Sequence, residues 1–254
     1  MARAQPDIAN HILDAIQRCV APIWANERLD APPPTVDHNG TCGFLDTGNL
    51  QILLTAWHVV EKFRELKATN PATVLAVNLG PGCTVALSNP EVIDHDASFD
   101  IVSLAFPDLH RHGPHDKQYF PVRTWPISRV ASGSAVAFVG FPGRRRTPHD
   151  TWGSFEPLGA GFLVASASDR TIVLADQSGT MRLENSSGRS DGTVRLGGFS
   201  GSPVFLVHPD GPQVIGVLRA GSEEMGHGAD NTILLTPTYF LRADGSFDRG
   251  LMPG

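Results

Sequence analysis

From about Val36 onward the chain is a succession of short apolar runs cut apart by turn residues, and this pattern limits the fold more than any other feature. Gly43-Phe44-Leu45 is followed by Thr47-Gly48-Asn49 and then by Gln51-Ile52-Leu53-Leu54-Thr55; further runs lie at 73–77, 84–87 and 101–106. A segment rich in His, Pro and Asp, 107–118, interrupts the series. Six more runs follow, at 135–139, 161–165, 171–174, 204–207, 214–218 and 232–235. Runs this short, separated by many of the 26 Gly and 20 Pro, predict an all-β protein built as a sandwich or barrel. Two groups divided by an irregular loop predict two similar barrels, although no internal sequence repeat accompanies the division. The expected organisation is a helix and linker over 1–34, a first barrel over 35–118, and a second barrel with the C-terminal segment over 119–254.

Two helices are expected. Ile8, Ile12, Ile16 and Val20 recur every four residues with Leu13 and Cys19 beside them, one apolar stripe that Ala31-Pro32-Pro33-Pro34 brings to an end. The other follows His58, where Val59, Val60, Phe63 and Leu66 share a face.

Composition narrows the partners. A net charge of −6 argues against nucleic acid or an anionic membrane as the main partner, and Arg144-Arg145-Arg146 reads as a solvated loop. No run approaches the ~18 apolar residues that cross a bilayer, and polar residues break the stretch 7–14 where a secretory signal would be apolar. Cys19, Cys42 and Cys83 are few, odd in number and widely spaced, which predicts no disulfide framework. A cytoplasmic location is the expectation.

Three segments carry the chemistry. Hydrolysis of an amide by a serine needs a base for the hydroxyl proton, a carboxylate to hold that base, and donors for the oxyanion. His58 sits in Leu53-Leu54-Thr55-Ala56-Trp57-His58-Val59-Val60, after an apolar strand and before a helix. Asp100 sits in Asp96-Ala97-Ser98-Phe99-Asp100-Ile101-Val102, at the mouth of another strand. Ser200 sits in Gly197-Gly198-Phe199-Ser200-Gly201-Ser202-Pro203-Val204, a Gly-rich turn that opens onto a strand. An α/β-hydrolase is excluded by the order, since that fold places Ser before the acid and His last, and by Ser202 in place of the Gly of its Gly-x-Ser-x-Gly elbow.

These segments resemble the signature motifs of the chymotrypsin/trypsin family, in that family's order of His, Asp, Ser. The first is similar to Thr-Ala-x-His, the second to Asp-Ile-x-x-Leu, and the third to Gly-x-Ser-Gly-Gly-Pro with Ser202 replacing the second Gly after the nucleophile. Gly40-Thr41-Cys42-Gly43-Phe44 resembles the strand before the histidine, and 133–142 resembles the strand opening the second barrel. The likeness covers roughly residues 36 to 240.

The resemblance implies two six-stranded antiparallel β-barrels, chymotrypsin-like, here with an added N-terminal helix. It implies a serine endopeptidase without cofactor or metal, acting on protein or peptide substrates. Ser200 would be the nucleophile, His58 the base, Asp100 its orienting carboxylate, and the amides of Gly198 and Ser200 the oxyanion donors. Phe199 stands where secreted members carry the aspartate that pairs with a processed N-terminus, so activation of that kind is not expected. Val59 stands where animal enzymes have a bridged cysteine. By the same likeness Val194 and Arg195 lie near the wall and floor of the primary pocket, with Arg195 read as an outward-pointing surface arginine in preference to a selector for acidic side chains, while Arg219, Ala220 and Gly221 form an edge that pairs with substrate backbone. Val194 lacks a carboxylate to select Lys or Arg, so cleavage after basic residues is not expected.

Other readings stand beside this one. A catalytically silent module of the same shape could bind a peptide or protein in the cleft between barrels. The N-terminal helix and the loops 107–118 and 144–160 leave room for a regulatory protein partner that orders the Ser200 loop. His110, His112 and His115 read as a surface loop rather than a metal site, since no carboxylate or Cys spacing accompanies them.

Overall fold

A computed structural model describes residues 6–27, 39–106, 108–143, 146–148, 153–175, 183–185, 193–195, 197–221, 224–226 and 232–253. The expected linker at 31–34 lies outside them, as do Arg144 and Arg145 of the basic triplet.

The first half comprises helix α1 (Pro6–Arg18), strands β1 (Val20–Asn26), β2 (Asn39–Asp46) and β3 (Gln51–Thr55), helix α2 (Trp57–Thr69), and strands β4 (Val74–Gly80), β5 (Cys83–Leu87), β6 (Val92–Asp96), β7 (Ile101–Ala105) and β8 (Phe120–Pro121). The second comprises β9 (Ala135–Gly140), β10 (Arg146–Pro148), β11 (Gly153–Phe155), β12 (Leu158–Ala167), β13 (Ile172–Ala175), β14 (Leu183–Asn185), β15 (Thr193–Arg195), β16 (Pro203–Leu206), β17 (Gln213–Gly221), β18 (Glu224–Gly226) and β19 (Thr232–Pro237). Among the described residues the fold is mostly β, with two α-helices.

Among the described residues one barrel closes. In the second half the order β13-β19-β17-β16-β9-β12 is completed by pairing of β12 with β13, a ring of six strands with β14 attached outside. The first half forms an eight-stranded sheet in the order β5-β4-β1-β2-β3-β7-β6, with β8 beside β2; no pairing joins β5 to β6 among the described residues. Of the expected pair of six-stranded barrels, one is present as a closed ring, and the other half is a larger sheet without a closing pairing among the described residues.

The first helix is shorter than its apolar stripe. The four-residue period carries Val20 into the first helix, but α1 ends at Arg18 and Val20 begins β1, whose seven residues are all buried. Pro22 cannot extend a helix, whereas as a strand residue it sits opposite Thr41. β1 pairs with both β2 and β4 and so becomes an interior strand.

Three apolar clusters hold these parts. Ile23, Phe44, Leu53, Val60, Phe63 and Leu75 fill the first half, with α2 packed on its sheet. Phe138, Phe162, Phe199, Val204, Ile215 and Leu235 fill the closed ring. The third cluster joins them, since Leu54, Phe99, Ile101, Phe205, Val217 and Phe240 come from both halves. Helix α1 reinforces that junction: Ile16 is buried in it, and Leu13 packs over Gly159 of β12, where a side chain would collide. The segments around His58, Asp100 and Ser200 thus lie where the two halves meet.

Candidate active site

Strand β3 delivers the chain to Ala56, and α2 starts at the next residue. Ala56 has no side chain to cap the helix, so the first-turn amides need acceptors from elsewhere. Asp100 supplies one from 42 residues away: its Oδ1 accepts the His58 backbone N–H at 2.9 Å. Its Oδ2 lies 2.8 Å from Nδ1 of the same histidine. One carboxylate therefore grips residue 58 at two points, and its negative charge sits at the positive end of α2. The contact at Nδ1 leaves Nε2 turned away from the carboxylate. The imidazole is 48 % exposed while the carboxylate is 17 % exposed, the arrangement wanted for a base open to substrate and an orienting group withdrawn from it.

Asp100 holds an uncommon backbone. Its φ of 51° is the one positive value outside glycine among the described residues, a conformation that costs about 1–2 kcal/mol unless surroundings impose it. Here the preceding residue is fixed on both sides. Phe99 is buried with its ring edge-on to Phe240 at 5.4 Å, and its carbonyl accepts the hydroxyl of Thr236 from β19.

The Ser200 turn is built from glycines because backbone passes close on every side. Gly198 and Gly201 have φ of 97° and 89°, which favours glycine at both. A side chain on Gly201 would strike the Thr41 carbonyl, the Thr55 hydroxyl and the Ala56 amide. The turn is thus seated on the two residues that precede Trp57 and His58. Gly40 marks the same closeness from β2: a Cβ there would stand 2.6 Å from the Ser200 carbonyl oxygen and 2.8 Å from Cγ2 of Val59. The Ser200 turn is consequently brought beside Thr55, Ala56 and Val59, the residues on either side of Trp57 and His58.

Hydrogen bonds fix that seat. Thr41 N–H donates to the Ser200 carbonyl at 2.8 Å, and Gly201 N–H to the Leu218 carbonyl at 2.8 Å. The Thr41 hydroxyl donates to the Gly198 carbonyl at 2.8 Å and accepts Phe141 N–H at 3.1 Å, while the Thr55 hydroxyl donates to the Thr41 carbonyl at 2.8 Å. The amides of Gly198 and Ser200 donate to no protein acceptor among the described residues. Two N–H groups left open, among the described residues, on one turn are what an oxyanion requires. Phe199 between them is fully buried, edge-on to Phe138 at 5.7 Å and filling the space left by Gly140. It anchors the turn in the ring's apolar core.

The side chains of Val194 and Arg195 lie outside the described residues; their backbone forms β15 and pairs with β18, Val194 opposite Met225 and Arg195 opposite Glu224. Ala220 and Gly221 pair with Leu234 and Ile233 on β19. On the other side of β17 the pairing with β16 ends at Val217, and Leu218 is the last residue bonded to the Ser200 turn. From Arg219 onward that edge of β17 carries no strand among the described residues.

His110, His112 and His115 stay apart in their contacts. His115 bonds to the Leu109 carbonyl at 2.8 Å, and the His112 ring lies 6.1 Å from Phe106. No group of three side chains suited to a metal ion occurs among the described residues. A cavity of about 450 Å³ lined by Phe120, Arg123, Ile127, Asp210 and Gln213 includes none of His58, Asp100 and Ser200. Cys19, Cys42 and Cys83 are free thiols. No helix among the described residues is long and apolar enough to cross a membrane.

Thr41, Thr55 and Thr236 were not among the residues expected at the site. Their hydroxyls brace its turns; Thr41 and Thr55 fall within the quoted motifs, whereas Thr236 has no such signal in the sequence.

No protein-family model matches the chain, and no curated protein matches it. Among solved structures, the crystal structure of Deg5 is similar at 14% identity, with a TM-score of 0.46 over 93% of this chain and 92% of that one; so distant a likeness bears on neither site nor activity.

Proposed function

We propose that this chain is a serine endopeptidase related to the chymotrypsin/trypsin family, with Ser200, His58 and Asp100 as its triad. One observation carries the reading: Asp100 holds both the backbone and the ring of His58, while the Gly198–Gly201 turn rests on Thr55 and Ala56 directly ahead of that histidine.

The chemistry follows from the donors and acceptors. Ser200 Oγ attacks the scissile carbonyl carbon as its proton passes to His58 Nε2. Nδ1–H remains bonded to Asp100, which stabilises the imidazolium. The carbonyl electrons move onto oxygen, where the amides of Gly198 and Ser200 receive them. The imidazolium then protonates the leaving amine, the C–N bond breaks, and an ester on Ser200 remains. Water, deprotonated by His58, hydrolyses the ester and restores the serine. An extended substrate would add to the edge of β17 at Arg219, Ala220 and Gly221, beyond the end of its pairing with β16, with Val194 and Arg195 near the side chain preceding the cut. Preferred cleavage after residues other than Lys and Arg belongs to the proposal, and so does action in a reducing, cytoplasmic compartment.

Labelling with a fluorophosphonate tests the reading. The wild type should form a covalent adduct that Ser200→Ala abolishes and His58→Ala slows by at least ~10³-fold. Labelling that appears only after a second protein is added would identify a regulatory partner. A folded wild type that never labels would be a silent binding module instead.

A further inference from the structure

The turn that carries Asp100 is held by a side chain far away in sequence. Asp96 opens the turn: its Oδ1 accepts the Ser98 N–H at 2.9 Å, the Ser98 hydroxyl at 2.7 Å and the Phe99 N–H at 3.1 Å. Its other oxygen accepts Arg249 Nη1 at 2.7 Å. Nη2 of the same guanidinium donates to Asp94 Oδ1 at 2.6 Å and to the His95 carbonyl at 2.8 Å. The second oxygen of Asp94 accepts the Phe247 N–H at 2.8 Å. One fork thus takes hold of three consecutive residues, 94–96, immediately ahead of the turn.

The grip extends to both members of the pair. Asp100 is reached through the turn, whose closing bond from Asp100 N–H to the Ala97 carbonyl is a long 3.3 Å. His58 is reached through Trp57, whose ring stacks on His95 at 4.0 Å. Arg249 is half exposed, and exposed ion pairs contribute little to global stability. Its planar fork, however, can satisfy several acceptors in one fixed geometry, which an ammonium cannot.

We infer that Arg249 is a positioning residue for the His58–Asp100 pair, a clasp from the C-terminal segment that sets the turn carrying Asp100. The inference rests on the peptidase reading only for its effect on rate; its effect on geometry is independent of catalysis. The perturbed state of Asp96 agrees with it: burial acts to raise its carboxyl, yet the Ser98 hydroxyl, the Phe99 and Ser98 amides and Arg249 together hold it below the usual range.

The test compares Arg249→Gln and Arg249→Lys with Arg242→Gln, which removes the Arg242–Asp248 pair at 3.0 Å in the same segment without touching residues 94–96. The geometric readout is amide hydrogen exchange at His58, whose N–H is protected by Asp100. The rate readout is fluorophosphonate labelling. Arg249→Gln should speed His58 exchange and slow labelling about tenfold each, with the melting temperature nearly unchanged. Arg249→Lys should recover only part of either effect, and Arg242→Gln should match the wild type. Wild-type His58 exchange in Arg249→Gln, or an equal change in Arg242→Gln, would overturn the inference. If no protein labels, the peptidase reading fails and His58 exchange still decides the clasp.

Discussion

Gly40 offers the sharpest test of how the two halves meet, because it lies on β2 in the first half and touches no reacting group through a side chain. A methyl group added there would stand 2.6 Å from the Ser200 carbonyl oxygen and 2.8 Å from Val59 Cγ2. Ordinary contact begins near 3.4 Å, so the overlap with the carbonyl is about 0.8 Å. Neither neighbour yields easily. The carbonyl accepts the Thr41 N–H, and Val59 is buried in the first turn of α2. Overpacking of this kind costs about 1–3 kcal/mol, which in a chain of this size lowers the melting temperature by about 2–12 °C. The methyl would also push the Ser200 turn away from His58, and a displacement near 1 Å costs about a hundredfold in rate. Gly161→Ala is the control: its Cβ would meet only the Val136 carbonyl, at 3.7 Å, and should be neutral or stabilise by about 0.4–1 kcal/mol. The assay is urea unfolding together with the rate of fluorophosphonate labelling. A Gly40→Ala variant as stable as Gly161→Ala and labelled at the wild-type rate would refute the seat described for Ser200.

Phe199→Ala should destabilise the closed barrel by about 3–5 kcal/mol in denaturant unfolding, since it empties a fully buried site against Phe138; a loss under about 1 kcal/mol would contradict that anchoring. Because the folded carboxyl of Asp96 lies below its usual range, the stability it contributes is complete above the unfolded value near 4 and is lost as pH falls through the folded value. The gap in urea midpoint between wild type and Asp96→Asn should therefore be constant above about pH 5 and close under acid; a gap that widens toward low pH would be the wrong sign. Burial pushes the Cys42 thiol far up and that of Cys19 up to about 11, whereas Cys83 is only partly buried. Native alkylation should mark Cys83 first, with Cys19 and Cys42 modified only on unfolding; peptide mapping that finds all three modified together would contradict this burial.

The segments of the proposed site stand out in local context. A histidine between an apolar strand and a helix, an aspartate at a strand mouth and a serine in a Gly-rich turn each state their place within a few residues. The helix after His58 and most strands of the closed ring were legible for the same reason, as apolar periods of suitable length. What escaped was set at long range. Val20 continues a helical stripe, and only Pro22 together with pairing to β2 and β4 turns it into a strand. Barrel closure in the second half depends on β12 reaching β13, which no local pattern states. Thr41, Thr236 and Arg249 act on partners 157, 137 and 153 residues away. Their residue types are commonplace, and only the folded chain gives them a role.

The central claim is that Ser200, not a neighbouring hydroxyl, is the nucleophile activated by His58. Trypsin digestion of fluorophosphonate-treated protein yields the peptide 196–219, which contains both Ser200 and Ser202. Fragment mass spectra should place the phosphonyl group on Ser200 alone, and His58→Ala should remove it. An adduct on Ser202, or one on Ser200 that persists undiminished without His58, would contradict the account.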